Sequence, residues 1–308
     1  MASSQLDVER VSPARPTSTR KIKWSNWLGY VFIAPWLVSF LFFDAIPIIS
    51  GFYHSFTKWN AMGEAKWLGL ANYEEALTRD PLFWKSVSNS LYFIGASVPL
   101  GIILAFFLAL LLNANIRSQG AYRTIYYLPS VVPTVAAVIV WIFIFEARRG
   151  ILNWGLELVG LPPVRWLSNR CRHAGLDHHE PVGLRRTMII FLAGLQGIPT
   201  ELYEAAEVDG ARLVQKLWKI TVPLMTPTIF FTLIMNLVAA FQAFNNAFIM
   251  TGGGPNNATL LYMLHLYNNA FSFFRMGYAS AMAVMLFIVV FGITVFVYRT
   301  SDRWVYYS

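Results

Sequence analysis

Five stretches of this 308-residue chain run long enough with no more than one charge to leave few choices of fold. They are approximately Leu28 to Ser50, Ser90 to Leu112, Ile125 to Phe145, Pro223 to Met250 and Gly277 to Tyr298. A helix needs roughly 20 apolar residues to cross a hydrocarbon layer about 30 Å thick, where lipid offers no partner to an open backbone N–H or C=O. Each stretch meets that length, so an all-α membrane protein is expected. Pro35, Pro99, Pro129 and Pro133 fall inside these stretches and are expected as kinks. The first stretch exceeds a signal-peptide core and no small-residue cleavage site follows it, so a retained span is expected.

Composition agrees with the pattern. The chain is 56% hydrophobic and 13% charged, with mean hydropathy +0.49, against roughly 45–50% apolar residues in soluble domains. Aromatic residues make up 16%, suiting either interfacial belts at helix ends or a large aromatic core. The net charge of +8 is scattered and forms no basic stripe beside aromatics, which excludes nucleic acid and leaves membrane lipid as the surroundings. The single cysteine, Cys171, permits no internal disulfide and no thiolate metal site by itself.

Residues 1–24 are polar, carry Arg10, Arg15, Arg20, Lys21 and Lys23, and read as a cytoplasmic tail. Alternation then places the loop from Gly51 to Ser88 outside and the short loop with Arg117 and Arg123 inside. The expected divisions are 1–24 tail, 25–87 first span and external loop, 88–300 core with a cytoplasmic motif over 200–222, and 301–308 cytoplasmic C-terminus.

One segment breaks the pattern. SNRCRHAGLDHHEPVGLRR, residues 168–186, gathers Arg170, Arg172, His173, Asp177, His178, His179, Glu180, Arg185 and Arg186. The apolar run after it, Thr187 to Gly197, covers only about 16 Å as a helix. A metal site at Cys171, His173, His178, His179 and Glu180 has no recognised ligand spacing, and no metal is expected. Suitable codons for LDHHEPVGLRR, read one nucleotide later, encode WIIMSLWGFGG, which joined to TMIIFLAGLQG makes a full span. A compensating pair of small insertions or deletions across roughly residues 169–186 is therefore expected.

IPTELYEAAEVDGARLVQKLWKITVPLMTP, residues 198–227, is a polar island between membrane segments. Thr200 is expected to cap a helix with Glu201 and Glu204 in its first turn, Gly210 to break it, and a second short helix to run from Ala211 to Thr221 before Pro223 opens the next span. Such a bent two-helix knuckle could transmit force from a partner, or be an amphipathic loop lying on headgroups. Glu204, Ala205, Ala206, Asp209, Gly210, Ala211, Ile220 and Pro223 resemble the EAA motif of permease subunits in binding-protein-dependent ABC importers, with Trp218 where the family usually has Phe. WLGLANYEEAL, YRTIYYLPSVVPTVAAVIVWIFIF, GILNWGLELVG, FQAFNNAFIMTGGGPNNAT and FRMGYASAMAV are similar to its carbohydrate and glycerol-phosphate branch.

The resemblance implies a six-span MetI-like permease bundle in a bacterial-type inner membrane, with the fourth core span disrupted in this sequence. It implies that the motif docks on an ATPase, with Glu204 the docking acid and Gly210 the hinge. It also implies an external solute-binding protein, a second permease subunit in a heterodimer, and two ATPase subunits that carry ATP and Mg. No cofactor is expected on this chain, which contains no G-x-x-x-x-G-K-[ST] phosphate loop.

Gln242, Asn245 and Asn246 fall within about 100° of arc on a continuous helix, beside Phe241 and Phe244. They suit either a path for a hydroxyl-rich solute or hydrogen bonding between helices. Asp44 lies near the outer end of the first span and reads as interfacial. A secondary transporter or channel would show intramembrane charge relays and repeated halves; an embedded enzyme would show H-E-x-x-H, G-x-S-x-G or a carboxylate pair in its spans. The sequence shows none of these.

Overall fold

The computed structural model describes residues 26–114, 120, 124, 128, 132–166 and 183–306. The basic tail and residues 169–182, including Cys171 and the three histidines, lie outside the described residues, as does Pro129. The chain divides into two units, Met1–Ile49 and Ser50–Ser308.

α1 (Asn26–Ser39) runs through a π turn, Phe40–Ala45, into α2 (Ile46–Ser55), whose residues from Ser50 onward belong to the second unit. Pro35 sits inside α1, as expected. Trp36, Phe42 and Phe43 are exposed, and Asp44 is an exposed residue of the π turn.

After α2 the second unit forms a short antiparallel pair, β1 (Thr57–Lys58) and β2 (Lys66–Trp67), in register Thr57↔Trp67. After α3 (Ala71–Glu74) and a π turn comes α4 (Pro81–Asn113), whose 33 residues extend about 50 Å, well beyond a bilayer core. The helix starts nine residues before the apolar run because Asp80 caps it, accepting from Leu82 N–H at 2.8 Å and Phe83 N–H at 3.3 Å, with Pro81 in the first turn. Pro99 lies within α4.

Asp80 also joins three elements at this end. Its second oxygen accepts from the Tyr278 hydroxyl at 2.7 Å and meets His265 Nε2 at 2.9 Å. Burial pushes the carboxyl up, but hydrogen bonds from Tyr278 and His265, the electrostatic pull of His265 and the Leu82 N–H outweigh burial and hold it below its ordinary value. Close by, Asn72 donates to the carbonyls of Ser55 and Thr57 at 2.8 and 2.9 Å. Gly277 N–H donates to Trp59 O at 3.0 Å, and a Cβ at Gly277 would stand 2.0 Å from Thr57 O.

The third apolar stretch is described as α5 (Thr134–Ile144), followed by α6 (Ile151–Leu158). Pro133 stands at the N-cap of α5, so in the described residues it begins a helix and does not kink one. Its fixed φ and missing N–H fit a helix entrance. Four helical stretches among the described residues are long and apolar enough to cross a membrane: Tyr30–Ser55, Pro81–Asn113, Leu213–Met250 and Met276–Ser301.

α7 (Leu184–Gln196) packs against α4 and against α10 (Val222–Phe241). Ala105 and Ala109, fully buried and one turn apart, let α4 approach Met188, Phe191 and Leu195 closely. At its N-terminal end α7 meets α10 through Asn236 Nδ2 donating to Thr187 Oγ1 at 3.0 Å. Gly183, at φ +71°, precedes the helix where a Cβ would stand 2.5 Å from Asn236 Oδ1. The 13 residues of α7 extend about 20 Å, short of a bilayer core.

Candidate functional site

The polar island folds into a bent projection. α8 (Thr200–Val208) starts at Pro199, which occupies the N-cap position. Thr200 is therefore the first helical residue and not the cap, because the preceding proline supplies the extended conformation that a cap residue must hold. Glu201 alone is the acid of the first turn; Glu204 lies a turn further on, exposed with Ala205 and Asp209.

Gly210 ends α8. Its φ is +74°, the left-handed region that L side chains enter at a cost. Gly210 N–H bonds to Glu207 O at 2.9 Å and Ala211 N–H to Ala206 O at 2.8 Å, the double closure of a Schellman end. No atom lies within 4 Å of where a Cβ would sit, so backbone conformation and not space demands glycine here.

The segment after Gly210 differs from the expected separate helix. α9 (Leu213–Lys216) begins where Arg212 N–H donates to Gln215 Oε1 at 2.7 Å, then passes through the π turn Leu217–Thr221 directly into α10. Every joining residue is right-handed helical, and Val222 N–H reaches back five residues to Leu217 O. Pro223 consequently sits in the first turn of α10 without starting a new span, the π turn having already changed the bonding register ahead of its missing N–H. Ile220 and Ala211 are half-buried.

Four apolar side chains of the projection went unflagged as a group in the sequence. Val208 is 89% exposed, Leu213 82%, and Val214 and Trp218 are exposed beside them. Apolar residues in a polar island bent at a glycine were the available signal.

The second candidate group divides. α10 ends at Phe241 and the chain leaves helix over Gln242–Phe244 before α11 (Asn245–Met250). The single-face arc expected for Gln242, Asn245 and Asn246 therefore does not form, since a helical arc requires an unbroken helix. Gln242 and Asn245 are exposed and Asn246 half-buried. Phe241 is buried in a core cluster with Phe93 and Val98, whereas Phe244 stacks on Phe248 at 5.0 Å and meets Tyr267, of α12 (Tyr262–Tyr267), at 4.8 Å. Asn236 bonds across the bundle to Thr187, and Asn89 donates to Asn257 O and Leu260 O. The remaining span, α13 (Met276–Ser301), completes the unit. Among the described residues no group of three His, Cys, Asp or Glu side chains could hold a metal ion.

Residues 184–306 match the family model described as binding-protein-dependent transport system inner membrane component. The chain is 40% identical to "Probable ABC transporter permease protein YesP" of Bacillus subtilis (strain 168), over 94% of this chain and 95% of that protein. It is 32% identical to the trehalose/maltose transport system permease protein MalF of Thermococcus litoralis (90% and 95% covered). To the sn-glycerol-3-phosphate transport system permease protein UgpA of Brucella abortus it is 33% identical (91% and 97%). Its fold matches a chain in the crystal structure of a bacterial alginate ABC transporter in complex with an alginate pentasaccharide-bound periplasmic protein, with TM-score 0.80, 23% identity, and 90% and 94% covered. The apolar helices, the bent projection and these relatives together place the chain in the family of binding-protein-dependent transport system inner membrane components, as a permease subunit of an ABC importer and not an enzyme.

Proposed function

We propose that this permease subunit carries a sugar, or a related polyol or glycerol-phosphate solute, handed to it by an external binding protein. It works in a bacterial-type inner membrane, with its N-terminus cytoplasmic, as half of a heterodimer with a second permease. Two ATPase subunits hold the ATP and Mg. They dock on the projection through Glu204, Ala205, Ala206, Asp209, Gly210 and Ala211, with Ile220 and Pro223 joining it to the span. The observation that carries this reading is the left-handed turn at Gly210, which ends α8 in an exposed, partly apolar elbow.

The solute path includes Gln242, Asn245 and Asn246, with Phe244 as an aromatic wall and Phe241 behind it. Amides beside aromatic rings suit hydroxyl-rich solutes. The bundle has six spans, divided as 1–24, 25–87, 88–300 and 301–308. Its fourth span is cut short by compensating frameshifts across residues 169–186. The limited length of α7 supports that reading.

Two experiments test these points. Gly210→Val and Glu204→Lys should each release the ATPase from the purified complex while the chain stays in the membrane; retention of the ATPase by both variants overturns the docking assignment. Resequencing the gene across codons 169–186 should show codons that read as an apolar run when shifted by one nucleotide. Codons that cannot do so overturn the frameshift.

A further inference from the structure

Two side-chain bonds close the elbow. Tyr203 and Glu207 stand four residues apart, on one face of α8. Facing them are Lys216 and Thr221, five apart. In an α-helix five residues leave two side chains about 140° out of line. The π turn Leu217–Thr221, with its five-residue bonding, brings them back onto one face. The hydroxyls of Tyr203 and Thr221 are 2.9 Å apart, and Lys216 Nζ donates to Glu207 Oε1.

Neither bond is explained by packing. The Lys216 side chain is 10% exposed while that of Glu207 is 69% exposed, and an apolar residue at 216 would fill the same space without a desolvated ammonium. All four side chains line an open cavity of about 510 Å³, whose other walls include Leu110, Asn113 and Leu195 from the ends of α4 and α7. Much of the space beside α8 is thus open, and the Gly210 turn has nothing packed where a side chain would be. Beyond the backbone closure at Gly210, these two bonds and the Tyr203 ring, which rests on the α4–α7 core, hold the angle between α8 and the helix that becomes α10.

We infer that Tyr203, Glu207, Lys216 and Thr221 are positioning residues, a two-rung clasp registered by the π turn that makes α8 and α10 move as one body. Displacement of α8 by the ATPase then tilts the span, where an unclasped elbow would flex at Gly210. This rests on the reading of Glu204 to Ala211 as the docking surface.

The test uses the assembled complex in lipid nanodiscs, with Cys171→Ser and spin labels at the exposed positions Leu91 and Met235. The distance between the labels is measured without nucleotide and with ATP plus orthovanadate. In Tyr203→Phe/Lys216→Met the ATPase should stay bound and hydrolyse ATP within about twofold of the parent rate, while the vanadate-dependent distance change falls by more than half. Tyr203→Phe alone, which removes one oxygen, should give a smaller loss, and exchanging the charges in Lys216→Glu/Glu207→Lys should restore the change seen in the parent. An undiminished change in both the double and the single variant overturns the clasp. If Glu204→Lys also leaves the ATPase bound and the change intact, the docking reading fails as well; if Glu204→Lys abolishes both, the docking reading stands and the clasp alone is wrong.

Discussion

The region around Asp80 and the elbow at Gly210 use similar chemistry to opposite ends. At Asp80, one carboxylate with 15% of its side chain exposed engages two backbone amides and two side chains from α4, α12 and α13. Beside it the backbone at Gly277 comes so near Thr57 O that no side chain fits between them. At the elbow, Glu204 and Asp209 are exposed, apolar side chains are exposed beside them, and nothing stands where a side chain at Gly210 would sit. A buried hub that satisfies every donor resists rearrangement, because moving one partner strands the others in a low-dielectric interior. An exposed elbow with unburied apolar tips is incomplete until something covers it.

The contrast can be broken most severely at Gly277. Gly277→Ala should destabilise the chain by about 3 kcal/mol, because the clash is with backbone that cannot swing aside. Thermal unfolding in detergent should show it, and an unchanged midpoint would contradict the close approach. Asp80→Asn retains a cap oxygen but gives up the charged acceptor for Tyr278 and His265, at about 2 kcal/mol by the same measurement.

The Asp80 carboxyl also sets a direction in pH. Its folded value lies below its unfolded one, so its contribution is fully present above about pH 4 and is lost as the pH falls through the folded value. Between pH 5 and pH 3 the parent should lose stability that Asp80→Asn does not. Equal losses in both would place the acid sensitivity elsewhere.

Gly210→Ala should cost only about 1 kcal/mol, because strain without a clash is all that opposes it. Trp218→Ser should change stability by no more than about 0.5 kcal/mol while weakening retention of the ATPase in pull-down. A large loss of stability in the chain alone would mean that the indole packs within this chain instead.

Four of the five apolar stretches were legible as spans because lipid permits so few alternatives, whereas the third is described only as the 11-residue α5. The sequence was less informative where helices leave the hydrocarbon: α4 begins at Pro81, announced by an Asp-Pro pair that a search for apolar runs passes over. The break over Gln242–Phe244 was hidden because residues on both sides suit a helix equally well. Gly210 was legible, since a glycine between a helix and a basic segment has few other uses. Thr200, at the other end of α8, misled because cap preference is a tendency of residue types, and Pro199 had already taken the position. The bonds of Lys216 and Thr221 could not be read at all, for their five-residue spacing has meaning only inside a π turn.

That π turn also fixes phase. Each residue in an α-helix advances the chain by about 100°, so removing a single residue from Leu217–Thr221 would rotate everything before it by about that much relative to α10. The exposed tips at Val208 and Leu213 would then point in a different direction with their chemistry unaltered. The length of this one turn, as much as the identity of any side chain, sets the direction in which the subunit presents its elbow.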